Sequence, residues 1–234
     1  MSELGFKHRY ITSPVQKPIA KEHDIDHSIA AAPAAAKIKE FNQGPLTLLL
    51  LHGTGGNEED LIPIGQKISP SASLLSPRGK VLENGMPRFF KRLSEGVFDI
   101  EDLKYRTEEL ADFLKEASKV YRFDLGKTIA VGFSNGANIA TSILLSHPEL
   151  LAGAILFRAM VPFVPDSSID LSENKVLLLA GLFDPIVSEN QTRDLFEILK
   201  KNQAQVLLKW QQSGHNITEA DLIDSKYWIS ENFH

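Results

Sequence analysis

The run Gly132-Phe133-Ser134-Asn135-Gly136 sets a serine between two glycines. An apolar stretch of strand length, Thr128–Val131, leads into it, and a helical pattern, Gly136–His147, leads out until Pro148 stops it. A sharp strand-to-helix turn lifts such a serine above the sheet with its hydroxyl exposed. Glycines two residues to either side remove the side chains that would collide there. A hydroxyl held this way becomes a nucleophile when a neighbouring base takes its proton and an acid orients that base.

On an elbow of this kind the acid and then the base follow the serine along the chain. His215 lies in Ser213-Gly214-His215-Asn216, directly after the apolar stretch Gln205–Trp210. His147 reads as a helix-end residue, and His234 is terminal. Asp184 occupies the matching place in Gly181-Leu182-Phe183-Asp184-Pro185, after the stretch Lys175–Ala180, whereas no strand leads into Asp166 or Asp170. Loops at the carboxyl ends of parallel strands are where such sheets carry their chemistry, so Ser134, Asp184 and His215 are the expected catalytic set. The oxyanion of an acyl-transfer reaction needs two N–H donors. Asn135 supplies one at the positive end of its helix. Thr54 supplies the other from His52-Gly53-Thr54-Gly55-Gly56-Asn57, which follows the apolar run Leu46–Leu51. That glycine-rich loop lacks the lysine of a phosphate-binding loop, and His52 reads as a structural residue within it.

The elements able to hold these groups alternate. Strands are expected at Leu46–Leu51, Ser73–Leu75, Thr128–Val131, Gly153–Leu156, Lys175–Ala180 and Gln205–Trp210, whose predominantly apolar character suits a parallel sheet covered on both faces. Helices are expected at Ile100–Tyr121, capped by Asp99, and at Gly136–His147, Glu189–Asn202 and Thr218–Asn232, the last starting at a capping threonine. This predicts an α/β fold with a mostly parallel central sheet and helices on both faces. Ahead of it, residues 6–12 read as an edge strand within an N-terminal segment, 1–13. Residues 14–44 form a Pro/Ala-rich insert with a short helix at 34–41 and docking points at Ile38 and Phe41, and residues 45–234 form the catalytic domain.

Composition narrows the function. The 234 residues contain no cysteine, which excludes a thiol nucleophile and Cys-ligated metal sites, and the net charge of −5 argues against nucleic acid. No apolar run is long enough to cross a bilayer. With no apolar signal core in the first residues, the expected location is the cytoplasm. Neither metal nor cofactor is called for.

Together these segments resemble the carboxylesterase/phospholipase group of α/β-hydrolases from about Pro45 to the C-terminus, and within it the bacterial hydroquinone-resistance hydrolase branch. The likeness rests on Leu50-Leu51-His52-Gly53-Thr54-Gly55-Gly56-Asn57-Glu58, on Pro77-Arg78-Gly79, and on Glu83-Asn84-Gly85-Met86-Pro87-Arg88-Phe89-Phe90. It extends through Arg92-Leu93-Ser94-Glu95-Gly96, Ser134-Asn135-Gly136-Ala137-Asn138, Asp184-Pro185-Ile186 and Gly214-His215. The resemblance implies the Ser134, Asp184 and His215 triad, a Thr54/Asn135 oxyanion hole, a small carboxylic ester as substrate, no metal, and a homodimer. Phe157-Arg158-Ala159-Met160 departs from the group's pattern and is expected on the leaving-group side.

The long connection 78–98 is rich in Arg and Phe, and Arg88, Phe89 and Phe90 are expected above the serine. Arg88 and Phe89, with Phe133 and Met160, make up the expected substrate pocket, which suits a small aromatic or anionic acyl ester. Two other readings stand beside the esterase. An acyl-protein thioesterase or lysophospholipase would need a wide apolar channel. A non-catalytic ligand binder would show a broken triad.

Overall fold

The computed structural model describes residues 4–15 and 44–233. Apart from residues 14, 15 and 44, the expected insert, with its helix at 34–41, Ile38 and Phe41, lies outside them.

Among the described residues, seven strands form one sheet in the order β1 (His8–Ile11), β3 (Ser73–Pro77), β2 (Thr47–Leu51), β8 (Thr128–Phe133), β9 (Gly153–Phe157), β10 (Lys175–Gly181) and β11 (Gln205–Gln211). All neighbours pair in parallel except β1, which runs antiparallel along the β3 edge from His8 opposite Pro77 to Ile11 opposite Leu74. Every residue of β2 is buried, and the period of two sends its leucines to opposite faces. Leu49 and Leu51 join the core under α2 (Ile100–Tyr121), α3 (Asn135–Ser146) and α4 (Glu189–Lys201). Leu48 and Leu50 join the core under α1 (Ile62–Ile68) and α5 (Glu219–Asn232). At roughly 1.5–3 kcal/mol for each fully buried large aliphatic side chain, such double-sided strands are the main source of stability.

Helix starts follow the local chemistry. Asp99 Oδ1 accepts the Asp102 N–H at 3.1 Å to cap α2. Thr218 caps α5 by accepting the Asp221 N–H at 3.3 Å, while the Asp221 carboxylate accepts the Thr218 N–H at 2.7 Å.

Two features go beyond the expected elements. α1 is a short helix between β2 and β3. The connection 78–98 folds into two hairpins, β4 (Val81–Glu83) with β5 (Met86–Arg88) and β6 (Arg92–Ser94) with β7 (Val97–Phe98). None of the helices in the described residues is long and apolar enough to cross a membrane.

The strand order reverses at β2. The chain leaves it outward to β3 and later returns beside it as β8. The loops that follow β2 and β8 therefore meet above the sheet, at the switch point where open α/β sheets bind ligands.

Glu58, in the loop after β2, joins this end of the sheet to the edge. Its carboxylate accepts a hydrogen bond from Arg78 Nε, beyond β3, and pairs with Lys7 Nζ, beside β1, at 3.1 Å. Burial works to raise its pKa, but the bonds from its backbone amide, Arg78 and Lys7 outweigh burial and hold it down at about 2. The unfolded carboxyl titrates near 4.5. The resulting stability is complete above that value and is lost as pH falls toward about 2. Glu58→Gln is expected to lower Tm at neutral pH, with the gap to wild type closing on acidification across that interval. Thermal melts by circular dichroism from pH 7 to 2 measure this, and a gap independent of pH would contradict it.

Candidate active site

Ser134 sits between the end of β8 and α3 with φ 51° and ψ −113°, a left-handed-side backbone that costs a non-glycine residue about 1–3 kcal/mol. Its N–H is tied to Phe157 O at 2.9 Å, and its carbonyl accepts the Asn138 N–H at 3.0 Å. The flanking glycines are required by contact. A Cβ on Gly136 would stand 1.9 Å from Leu51 O, and one on Gly132 would stand 2.6 Å from Ala137 Cα.

His215 Nε2 lies 3.0 Å from Ser134 Oγ, and His215 Nδ1 lies 2.8 Å from Asp184 Oδ2. A carboxylate oxygen can only accept from the imidazole N–H, so the proton sits on Nδ1 and Nε2 is left to accept the serine proton. Asp184 is itself anchored, since Oδ1 accepts the N–H groups of Ile186 at 2.8 Å and Val187 at 3.0 Å. The Asp184 and His215 loops are joined directly. Leu182 N donates to Gln211 O and Phe183 N to Ser213 O, both at 2.9 Å. A Cβ on Gly181 would stand 2.3 Å from Gly214 O.

Thr54 and Asn135 line the same cavity as Ser134 and His215. Their backbone N–H groups have no acceptor among the described residues. The hairpin segment 86–90 braces both residues. Arg88 Nη1 donates to Thr54 Oγ1 at 2.8 Å, Phe89 N donates to Asn135 Oδ1 at 2.7 Å, and Gly55 N donates to Pro87 O at 2.9 Å. His52 has the structural place expected of it. Nδ1 donates to Gly53 O at 2.7 Å, and Nε2 accepts the Gly79 N–H at 3.0 Å, which fixes a neutral tautomer. Burial lowers its pKa and reinforces that state.

The cavity has a volume of about 330 Å³. Of the expected pocket residues, Arg88, Phe133 and Met160 line it. Phe89 does not, a correction with a packing cause: it is buried and packs on His52 with ring centroids 4.7 Å apart. Phe90 is buried as well, edge-on to Phe98 at 5.1 Å. The remaining wall comes from residues the sequence reading did not single out, chiefly Arg92, Glu95 and Phe98 of the second hairpin and Ile186 after Asp184. Glu83 links the two arginines, lying 3.1 Å from Arg88 Nη1 and 2.8 Å from Arg92 Nε. Burial lowers the Arg88 pKa, and the charge of Glu83 opposes that shift.

Arg158 also departs from expectation. Met160, two residues on, lines the cavity, but Arg158 does not: it is fully buried and turned into the base of the His215 loop. Among the described residues, no group of three His, Cys, Asp or Glu side chains is arranged to hold a metal ion.

Comparison with known proteins agrees with this architecture. The family model described as Phospholipase/Carboxylesterase matches residues 38–232. MhqD of Bacillus subtilis is 48% identical over 184 residues, which are 79% of this chain and 92% of that one. The crystal structure of a Bacillus cereus carboxylesterase superimposes with a TM-score of 0.84 at 40% identity, covering 99% of this chain and 97% of that one. A carboxylesterase from Mesorhizobium loti gives a TM-score of 0.76 at 30% identity over 79% of this chain and 88% of its own. The fold and sequence together place this chain in the phospholipase/carboxylesterase family of α/β-hydrolases.

Proposed function

We propose that the chain is a serine carboxylesterase that hydrolyses small carboxylic esters through an acyl-enzyme on Ser134. The observation that carries this is the unbroken hydrogen-bonded series from Ser134 Oγ through His215 to Asp184, at 3.0 and 2.8 Å, opening into a cavity beside two uncommitted backbone N–H groups. His215 Nε2 takes the serine proton as Oγ attacks the ester carbonyl carbon. The carbonyl electron pair moves onto oxygen, where the Thr54 and Asn135 N–H groups stabilise the oxyanion. Collapse expels the alkoxide, which takes the proton from Nε2. Water then repeats the sequence on the acyl-enzyme, releasing the acid and restoring Ser134. Asp184 remains ionised, holds the Nδ1–H tautomer and stabilises the transient imidazolium.

The cavity supports short acyl groups. It is small, about 330 Å³, and its wall carries Arg88, Arg92 and Glu95, whose charges would oppose a long alkyl chain. This favours a small-ester substrate over the thioesterase or lysophospholipase reading. The complete triad geometry weighs against a non-catalytic binder.

Ser134→Ala is expected to reduce 4-nitrophenyl acetate turnover by roughly 10⁴–10⁶-fold while leaving the fold intact. His215→Ala should cost about as much, because the two side chains act as one unit, and Asp184→Asn somewhat less. Wild-type activity should fall on acidification, as proton uptake at Nε2 removes the base. Purified variants assayed for initial rate, with folding checked by circular dichroism, measure these effects. Near wild-type turnover by Ser134→Ala would sink the mechanism. On a 4-nitrophenyl ester series from acetate to palmitate, kcat/KM is expected to peak at short chains. A rise toward palmitate would instead favour the lysophospholipase reading.

A further inference from the structure

Arg158 is the residue immediately after β9, and its backbone takes φ 55°, unusual for a side chain of this size. Its side chain is 0% exposed, and all five of its N–H donors are spent. Nε donates to Gly214 O at 3.0 Å. Nη1 donates to Leu179 O and to Asp221 Oδ1, both at 3.0 Å. Nη2 donates to Ser213 Oγ at 3.0 Å, to Asn216 O at 2.7 Å and to Asp221 Oδ2 at 2.7 Å. Three of these acceptors, on Ser213, Gly214 and Asn216, flank His215 on both sides. The other three are Leu179 O on β10, which leads to Asp184, and the two Asp221 carboxylate oxygens in the first turn of α5.

A guanidinium suits this position for geometric reasons. Its planar fork reaches separate acceptors in fixed directions, and its charge is matched by the buried Asp221 carboxylate, which accepts two of the bonds side by side. A buried arginine with unpaired donors would be strongly destabilising, whereas here every donor has an acceptor. The residue before it, Phe157, accepts the Ser134 N–H at 2.9 Å. The end of β9 therefore holds the backbone of the nucleophile on one side and the loop of the base on the other.

We propose that Arg158 is a positioning residue for catalysis: through Ser213, Gly214 and Asn216 it fixes the His215 loop so that the imidazole spans Ser134 and Asp184. It touches neither substrate nor the reacting atoms, and it acts only through the loop. The proposal rests on the reading of His215 as the base. Misplacing a base by about 1 Å can cost about 100-fold in rate, so the effect belongs in kcat rather than in KM.

The test uses Arg158→Lys, which keeps the charge but cannot reach the same acceptors, and the milder Ser213→Ala, which removes one loop acceptor. Two readouts are taken: kcat and KM on 4-nitrophenyl acetate, and the downfield proton resonance of His215 Nδ1–H against Asp184. For Arg158→Lys we expect a kcat loss of about 100-fold with KM little changed, and a broadened or lost resonance in protein that remains folded by circular dichroism. Ser213→Ala should shift both readouts in the same direction by less, and it keeps the proposal testable should Arg158→Lys fail to fold. A merely structural role would lower Tm but leave the resonance and the kcat of the folded fraction at wild-type values in both variants, and that result overturns the proposal. Absence of ester hydrolysis by the wild type would instead overturn the esterase reading. The resonance still decides the role of Arg158 in that case.

Discussion

The site depends on how closely α3 presses against the end of β2. A Cβ on Gly136 would lie 1.9 Å from Leu51 O and 2.6 Å from His52 O, so the first turn of the helix and the last residue of the strand share space that only glycine leaves free. That contact forces Ser134 into its φ of 51° and brings the loop after β2 alongside the helix start, where Thr54 and Asn135 both line the cavity. The turn would relax if its surroundings allowed it. It is held because α3 is buried along nearly its whole length and because β9 supplies the carbonyl that accepts the Ser134 N–H. The strain is thus supported by the core of the fold and not by the loop that carries it.

Each group in the site is braced by a neighbour from another strand. The Asp184 and His215 loops bond backbone to backbone, and Gly181 lets them approach. Arg158 ties the His215 loop to β9, β10 and α5. Arg88 and Phe89 hold the side chains of Thr54 and Asn135, whose backbone amides have no acceptor among the described residues. His52 is kept neutral by burial and by its two backbone partners. A rigid first layer of this kind is what preorganised electrostatic stabilisation requires, because donors that must reorient during the reaction lose much of their effect.

The parts of this arrangement set by local spacing were legible in the sequence. The helix expected at Ile100–Tyr121 is found with those bounds because its apolar period is long and Asp99 marks its start. Apart from β2, which starts one residue later than expected, the parallel strands run one or two residues further than their apolar runs, as at Phe133 and Phe157, where pairing with the adjacent strand continues to the edge of the site. α1 went unread because it is a single short helix with Pro63 at its start and Gly65 inside it. That glycine is needed there, since a Cβ would meet Leu74 at 3.0 Å. The first hairpin did leave a signal: Asn84 and Gly85, with φ of 50° and 79°, form the two-residue turn that joins β4 to β5. The triad geometry could be anticipated because each member follows a recognisable strand. Phe89 and Arg158 could not be placed, because whether a side chain faces the cavity or the interior depends on which distant strand or loop lies beside it.

The two halves of the site differ in what fixes them. Ser134 and Asp184 follow central strands whose residues are almost all buried, whereas His215 follows the edge strand β11 and is held by the bonds between its loop and the Asp184 loop and by Arg158. Much of the cavity wall stands on two hairpins with strands of two or three residues, too short to be stable alone. Glu83 joins the two hairpins by pairing with both Arg88 and Arg92, while Arg88, Phe89 and Pro87 tie the first hairpin to Thr54, Asn135 and Gly55. Their outer faces, at Leu82, Leu93 and Val97, are exposed and carry little of the core. Substitutions in the hairpins can therefore reshape the cavity at small cost to the fold, provided the links from Glu83 and Arg88 persist. Ser134, His215 and Asp184 have no such freedom, because moving Ser134 or Asp184 means moving a central strand, and moving His215 means breaking its loop's bonds to Arg158 and to the Asp184 loop. On one scaffold, this separation lets the cavity wall vary while the Ser134–His215–Asp184 geometry stays fixed.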